Sequence, residues 1–200
     1  MLKSKPLLGW EVKGGISGRE GVVDTMELVF EIVFFALAIP AFIADVLAGV
    51  SDRARRIGRI STGLLMLLGG AAVNAISLGV GVDYADFADD AKFGWVTDAW
   101  RAVVPAHDVL LIGLLVAFEA TVGVMILFGG RLAQVGLVAA IAFHVCLALF
   151  FSWFFTVYGL AMLLPLVMLL RAERRAAAAR AHPPTAARGA DGQVGASRRA

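Results

Sequence analysis

Cysteine is almost absent from this chain, and charged residues are scarce. The single cysteine, Cys146, excludes a disulfide framework and any CxxC redox or zinc site. Charged residues make up 17% of the sequence, whereas soluble domains average about 25%. A chain with so little charge is neither an ordinary soluble enzyme nor a nucleic-acid-binding module. No set of metal ligands is apparent, and the three histidines are too dispersed to predict a bis-histidine haem site.

The sequence instead contains several long apolar runs. Of 200 residues, 60% are hydrophobic, and the mean hydropathy is +0.81. A membrane-spanning helix needs roughly 20 apolar residues. The sequence therefore predicts an all-α, polytopic membrane helix bundle. Its five candidate transmembrane helices are 27–50, 60–82, 108–128, 132–151 and 154–170.

The last two of these helices share one apolar run, 132–170, which contains no Asp, Glu, Lys or Arg and a single histidine, His144. As a single helix this run would be about 58 Å long, nearly twice a hydrocarbon core of about 30 Å. It is therefore expected to fold back, and the polar and aromatic stretch around Ser152 and Trp153 is the best position for the turn.

Charge asymmetry predicts the orientation of the bundle. Four arginines in 51–60, Arg131 and the Arg/Ala-rich segment 171–200 are expected on the cytoplasmic side of a bacterial inner membrane. The acidic and aromatic loop 83–108 is expected outside, as an interfacial cap in which Trp95 and Trp100 anchor at the membrane surface. Five crossings then place the N-terminus outside.

The two ends of the chain are expected to differ from the four-helix core 60–170. Residues 1–26 are interpreted as a polar, interfacial segment that precedes a retained helix 27–50. Pro40 interrupts that helix and leaves a re-entrant segment as the alternative to a full crossing. Residues 171–200 lack sustained apolar periodicity and are predicted to be disordered.

Polar residues within the apolar segments are the candidate functional residues, because polar groups in a bilayer mostly face the bundle interior. Counting about 1.5 Å per residue from each cytoplasmic end puts four of them near the midplane. These ligand-binding or proton-handling candidates are Asn74, Glu119, His144 and Tyr158. Glu31 and Asp45 share one face of the first helix and complete the set. No catalytic residue is assigned.

Glu119 and His144 form the sharpest constellation, since they lie on consecutive helices at similar depth. A direct pair is therefore predicted between them. One interpretation is functional: the pair handles a proton or binds a quinone-like head group. The other is structural: a buried pair that holds two helices together.

The stretch 115–150 resembles the DoxX family of small bacterial membrane proteins. The similarity lies in Glu119 followed by Gly123, a Gly-Gly-Arg turn at 129–131, and a next helix rich in small residues. The family plan of four helices corresponds to 60–170 and leaves helix 27–50 as an addition. The resemblance implies a redox-linked membrane subunit that associates with a quinone or with a soluble redox protein.

The function expected from the sequence is a redox-associated membrane subunit, without catalytic activity of its own, that binds a quinone or another small lipophilic molecule between helices. No covalent cofactor is expected. The bilayer is the expected partner, together with a soluble redox protein or further copies of the chain. The alternatives are a small proton-coupled transporter that uses Glu31, Asp45 and Glu119, or a non-catalytic membrane scaffold.

Overall fold

The structure is a computed structural model, and it describes Ile32 and residues 35–181. These residues form an all-α bundle. Its four long apolar helices are α2 (Asp52–Gly79), α3 (Gly94–Phe128), α4 (Gly130–Phe150) and α5 (Trp153–Ala181), and a shorter apolar helix, α1, spans Phe35–Gly49. Each of the four is long and apolar enough to cross a membrane, so the prediction of a multi-pass helix bundle is confirmed.

Helix α2 begins before residue 60, where the sequence predicted its start, because the arginine-rich linker is itself helical. Ser51 caps the helix: its Oγ accepts hydrogen bonds from the backbone N–H groups of Arg53 at 3.2 Å and Ala54 at 3.4 Å. Farther along, residues Leu65–Ala72 form a π-helical segment. Each π turn holds more residues than an α turn, which changes the face on which later residues lie.

Helix α3 contains a kink at His107, whose backbone has φ −140° and ψ 27°. Pro105 lies inside α3, two residues before the kink. The kink separates an amphipathic segment, 94–106, from the apolar segment 108–128. Much of the predicted outer cap is therefore helical, together with a short 3-10 helix at Ala85–Ala88.

Both short turns occur where the sequence predicted them. Gly129 and Gly130 connect α3 to α4 with φ values of +79° and +63°, which other residues rarely adopt. Phe151 and Ser152 connect α4 to α5, and the extended backbone at Phe151 ends α4. The most extensive helix packing is between α4 and α5, which follow each other across this turn.

Helix α5 extends beyond residue 170 to Ala181, so residues 171–181 are helical and not part of a disordered tail. The predictions for 1–31 and 182–200 lie outside the described residues.

Two apolar clusters form the core. The larger includes Ile126, Leu137, Leu166 and Leu169, each at most 1% exposed. The smaller lies under the cap, around Tyr84, Val104 and Ile112.

Candidate functional site

A cavity of about 260 Å³ lies between the two core clusters, since its lining includes members of both. Asn74, Glu119, His144 and Tyr158 all line this cavity, one from each of the four long helices. The remaining lining is almost entirely apolar or aromatic. The structure thus brings together the four residues for which the sequence indicated a common depth.

Glu119 is 4% exposed and is held by α2. The Asn74 side-chain amide donates to Glu119 Oε2 over 2.9 Å. The Asn74 backbone carbonyl in turn accepts a hydrogen bond from the Tyr84 hydroxyl at 3.3 Å. Burial raises the pKa of Tyr84, which keeps this hydroxyl protonated as a donor.

Gly70 makes room for the Glu119 carboxyl group. A Cβ atom at residue 70 would lie 2.9 Å from Glu119 Cδ, closer than side-chain carbons approach. Gly70 belongs to the π-helical segment of α2, and π segments frequently occur at functional sites. Gly70 and Asn74 are four residues apart in the sequence, but their contact with Glu119 was not predicted.

His144 makes its hydrogen bond within its own helix. Its Nδ1 lies 2.8 Å from the backbone oxygen of Ala140, and the side chain is 3% exposed. Its ring centroid is 5.5 Å from that of Tyr158 on α5. Helices α4 and α5 approach each other closely at this point. A Cβ atom at Gly159 would lie only 2.7 Å from the His144 backbone oxygen.

The predicted direct pair between Glu119 and His144 is wrong. Within the described part of the chain, no hydrogen bond or ion pair joins them, since Glu119 bonds to Asn74 and His144 to Ala140. Both side chains nevertheless reach the same cavity. The pair was inferred from depth alone, and depth does not determine which neighbouring helix a side chain faces.

An aromatic cap covers one end of the cavity. Phe87 lies 5.3 Å from Trp100 and 5.2 Å from Phe155, between ring centroids, and all three rings line the cavity. Trp100 Nε1 donates to the backbone oxygen of Tyr84 over 2.7 Å. Trp100 therefore faces inward and is not a surface anchor, whereas Trp95 is 62% exposed.

Asp45 does not line this cavity. It is fully buried between α1 and α2, where Thr62 Oγ1 donates to its Oδ2 over 2.8 Å. Gly58 lies against the same carboxyl group, so a side chain there would clash with it. Thr62 does line the cavity, so the Thr62 side chain separates Asp45 from it. Glu31 lies outside the described residues.

Glu173 is a buried acid that the sequence reasoning missed. It is fully buried, and its Oε1 lies 3.1 Å from Arg55 Nη1 and 3.7 Å from Arg59 Nη1. Its position was detectable, because Leu166, Leu169 and Glu173 are spaced three and four residues apart on one helix face. The contacts place the arginine-rich start of α2 beside the end of α5.

Within residues 35–181, no group of three or more His, Cys, Asp and Glu side chains has an arrangement that could hold a metal ion. The cavity side chains instead offer a carboxyl, an amide, an imidazole and a phenol, which are hydrogen-bonding groups. Compared with protein-family models, curated proteins and solved structures, the chain matches none.

We predict a specific coupling between Asn74 and Glu119. Asn74→Ala and Glu119→Ala should each destabilise the bundle, and the double variant should cost less than their sum by about 0.5–1.5 kcal/mol. The measurement is the free energy of unfolding in bicelles. The comparison cycle, Glu119→Ala with His144→Ala, should give a smaller coupling because the two side chains share no bond. A larger coupling in the comparison cycle would contradict the hydrogen bond between Asn74 and Glu119.

Proposed function

We propose that this protein is a membrane subunit that binds the head group of a quinone, or of another small lipophilic molecule, in the cavity between α2, α3, α4 and α5. One observation carries the proposal: four polar side chains from four helices converge on a cavity that is otherwise apolar and aromatic. Apolar walls with a few convergent polar groups are typical of small-molecule sites.

The size of the cavity supports binding of a ring and not of a whole lipid. A cavity of about 150 Å³ holds benzene, so about 260 Å³ accommodates a substituted ring. A longer apolar tail has to leave the cavity. Phe35 and Phe154 line the cavity and are also 53% and 45% exposed on the outer face of the bundle. A tail leaving beside them would lie among lipid chains.

The redox-linked part of the proposal rests on the resemblance of 115–150 to the DoxX family. In this role the chain supplies a ligand site in the membrane, and a soluble redox protein or another copy of the chain supplies the further chemistry. The charge distribution supports an orientation with the arginine-rich end, where Arg55 contacts Glu173, towards the cytoplasm.

The alternative, a proton-coupled transporter, needs carboxylates that are close enough to pass a proton from one to the next. In the described part of the chain, Asp45 bonds to Thr62 and Glu119 bonds to Asn74, in two separate clusters. The converging polar groups favour a ligand site over such a relay.

The test is mass spectrometry of the lipophilic molecules that co-purify with the protein, with a matched pair of tryptophan variants. Leu115 lines the cavity, so Leu115→Trp should fill it and reduce the co-purified ligand at least about tenfold, the effect of roughly 1.4 kcal/mol. The neighbouring Leu114 is 59% exposed, so Leu114→Trp adds the same ring outside the bundle and should leave the ligand in place. Identical profiles for wild type and both variants would refute the proposal.

A further inference from the structure

The hydrogen bond of His144 determines which ring nitrogen carries its hydrogen. The Ala140 backbone oxygen can only accept, so Nδ1, at 2.8 Å, is the donor. In a neutral ring, Nε2 is then a hydrogen-bond acceptor. Nε2 lies on the opposite edge of the ring from this bond, and His144 lines the cavity. Across the described residues, Nε2 has no hydrogen-bond partner.

The ring is expected to be neutral because no carboxylate pairs with it in the described part of the chain. An isolated charge in an apolar interior costs far more than a hydrogen-bonded neutral group. The same argument applies to Glu119, which no described cation contacts. Its Oε2 accepts from Asn74, so in the neutral carboxyl group Oε1 carries the hydrogen. Of these two side chains, His144 therefore offers an acceptor to the cavity and Glu119 offers a donor.

We propose, building on the proposed function, that the cavity selects head groups that carry a hydroxyl, and hence the quinol form of a quinone over the oxidised form. A hydroxyl group is both a donor and an acceptor, so it matches the acceptor on His144 and the donor on Glu119. A quinone carbonyl only accepts, so it would leave Nε2 without a partner. An ionised Glu119 would favour the hydroxyl further, because it would add a second acceptor.

The experiment compares the two redox forms of one probe on the full chain in nanodiscs. Anaerobic titration calorimetry with a decyl-substituted benzoquinone, and with the quinol obtained from it by reduction, should show about tenfold tighter binding of the quinol. A redox titration of the bound probe gives a second measurement. Tenfold preference for the reduced form raises its midpoint potential by about 30 mV for a two-electron couple.

Two variants test whether His144 causes the preference for the quinol. His144→Phe removes the acceptor, so both forms should bind with nearly equal affinity. Thr156→Val is the control, since Thr156 is buried on α5 and its hydroxyl bonds to Ala148 outside the cavity lining. It should retain the preference. A folded His144→Phe protein that still prefers the quinol would overturn the assignment. If that variant does not fold, the wild-type affinity ratio and the potential shift decide.

The outcomes separate the two proposals. Equal affinities of the wild-type protein for quinone and quinol, or tighter binding of the quinone, overturn the hydroxyl preference and leave the ligand site standing. Binding of neither form, together with no loss of co-purified ligand in Leu115→Trp, overturns both.

Discussion

Replacing Glu173 with alanine should destabilise the bundle by about 3–5 kcal/mol, the usual cost of removing one partner of a buried ion pair. Glu173 is fully buried, and the Arg55 side chain is only 12% exposed. Arg59 lies 3.7 Å from the same carboxylate and is 22% exposed. Without Glu173, the two guanidinium groups repel each other with little access to water. The measurement is the free energy of unfolding in bicelles.

The matched control is Asp52→Ala, because Asp52 is a second acidic partner of the same arginine. Arg55 Nη2 lies 2.9 Å from Asp52 Oδ1, but the Asp52 side chain is 82% exposed. Exposed ion pairs contribute about 0–1 kcal/mol, so this variant should be nearly as stable as the wild type. Equal effects of the two substitutions would mean that Glu173 is not buried as described.

The second large effect is expected at Gly123, where α3 crosses α2. A Cβ atom at residue 123 would lie 2.8 Å from the backbone oxygen of Gly63 and 2.8 Å from Leu67 Cγ. Because a backbone atom cannot rotate away as a flexible side chain can, Gly123→Ala should force the helices apart at a cost of about 1–3 kcal/mol. The same shift should displace Glu119, one turn earlier on α3, from Asn74.

Gly113→Ala provides the control on the same helix. Nothing lies within 4 Å of a Cβ atom at residue 113. Glycine within a helix is less favourable than alanine by about 0.5–1 kcal/mol, so this substitution should be neutral or slightly stabilising. Unfolding free energies of both variants in bicelles test the contrast, and destabilisation by Gly113→Ala as large as that by Gly123→Ala would argue against a close crossing at Gly63.

Hydropathy and turn residues were sufficient to predict the bundle. The apolar runs identified the four long helices, and the glycines at 129 and 130 identified one turn. Hydropathy did not locate the helix ends, because α2 and α5 continue into arginine-rich sequence. There the helices are stabilised by the Ser51 cap and by the contact of Arg55 with Glu173, neither of which depends on apolar character.

The depth of polar side chains could be predicted, but their partners could not. A rise of about 1.5 Å per residue placed Asn74, Glu119 and His144 in one layer. Which side chains bond within that layer depends on how each helix is rotated about its axis. The π-helical segment before Asn74 changes that rotation by roughly 100° for each inserted residue. Hydropathy does not indicate where such an insertion occurs.

The backbone oxygen of Ala148 connects the aromatic cap to the end of α4. Lys92 Nζ donates to this oxygen, and so does Thr156 Oγ1, at 3.2 Å. Lifting the cap would break the Lys92 bond and separate the packed rings of Phe87 and Phe155. A molecule arriving through the bilayer beside Phe35 and Phe154 breaks neither contact. Occupancy of the cavity by the proposed ligand should therefore follow the concentration of that ligand in the lipid phase, where partitioning enriches lipophilic molecules, and not its concentration in water.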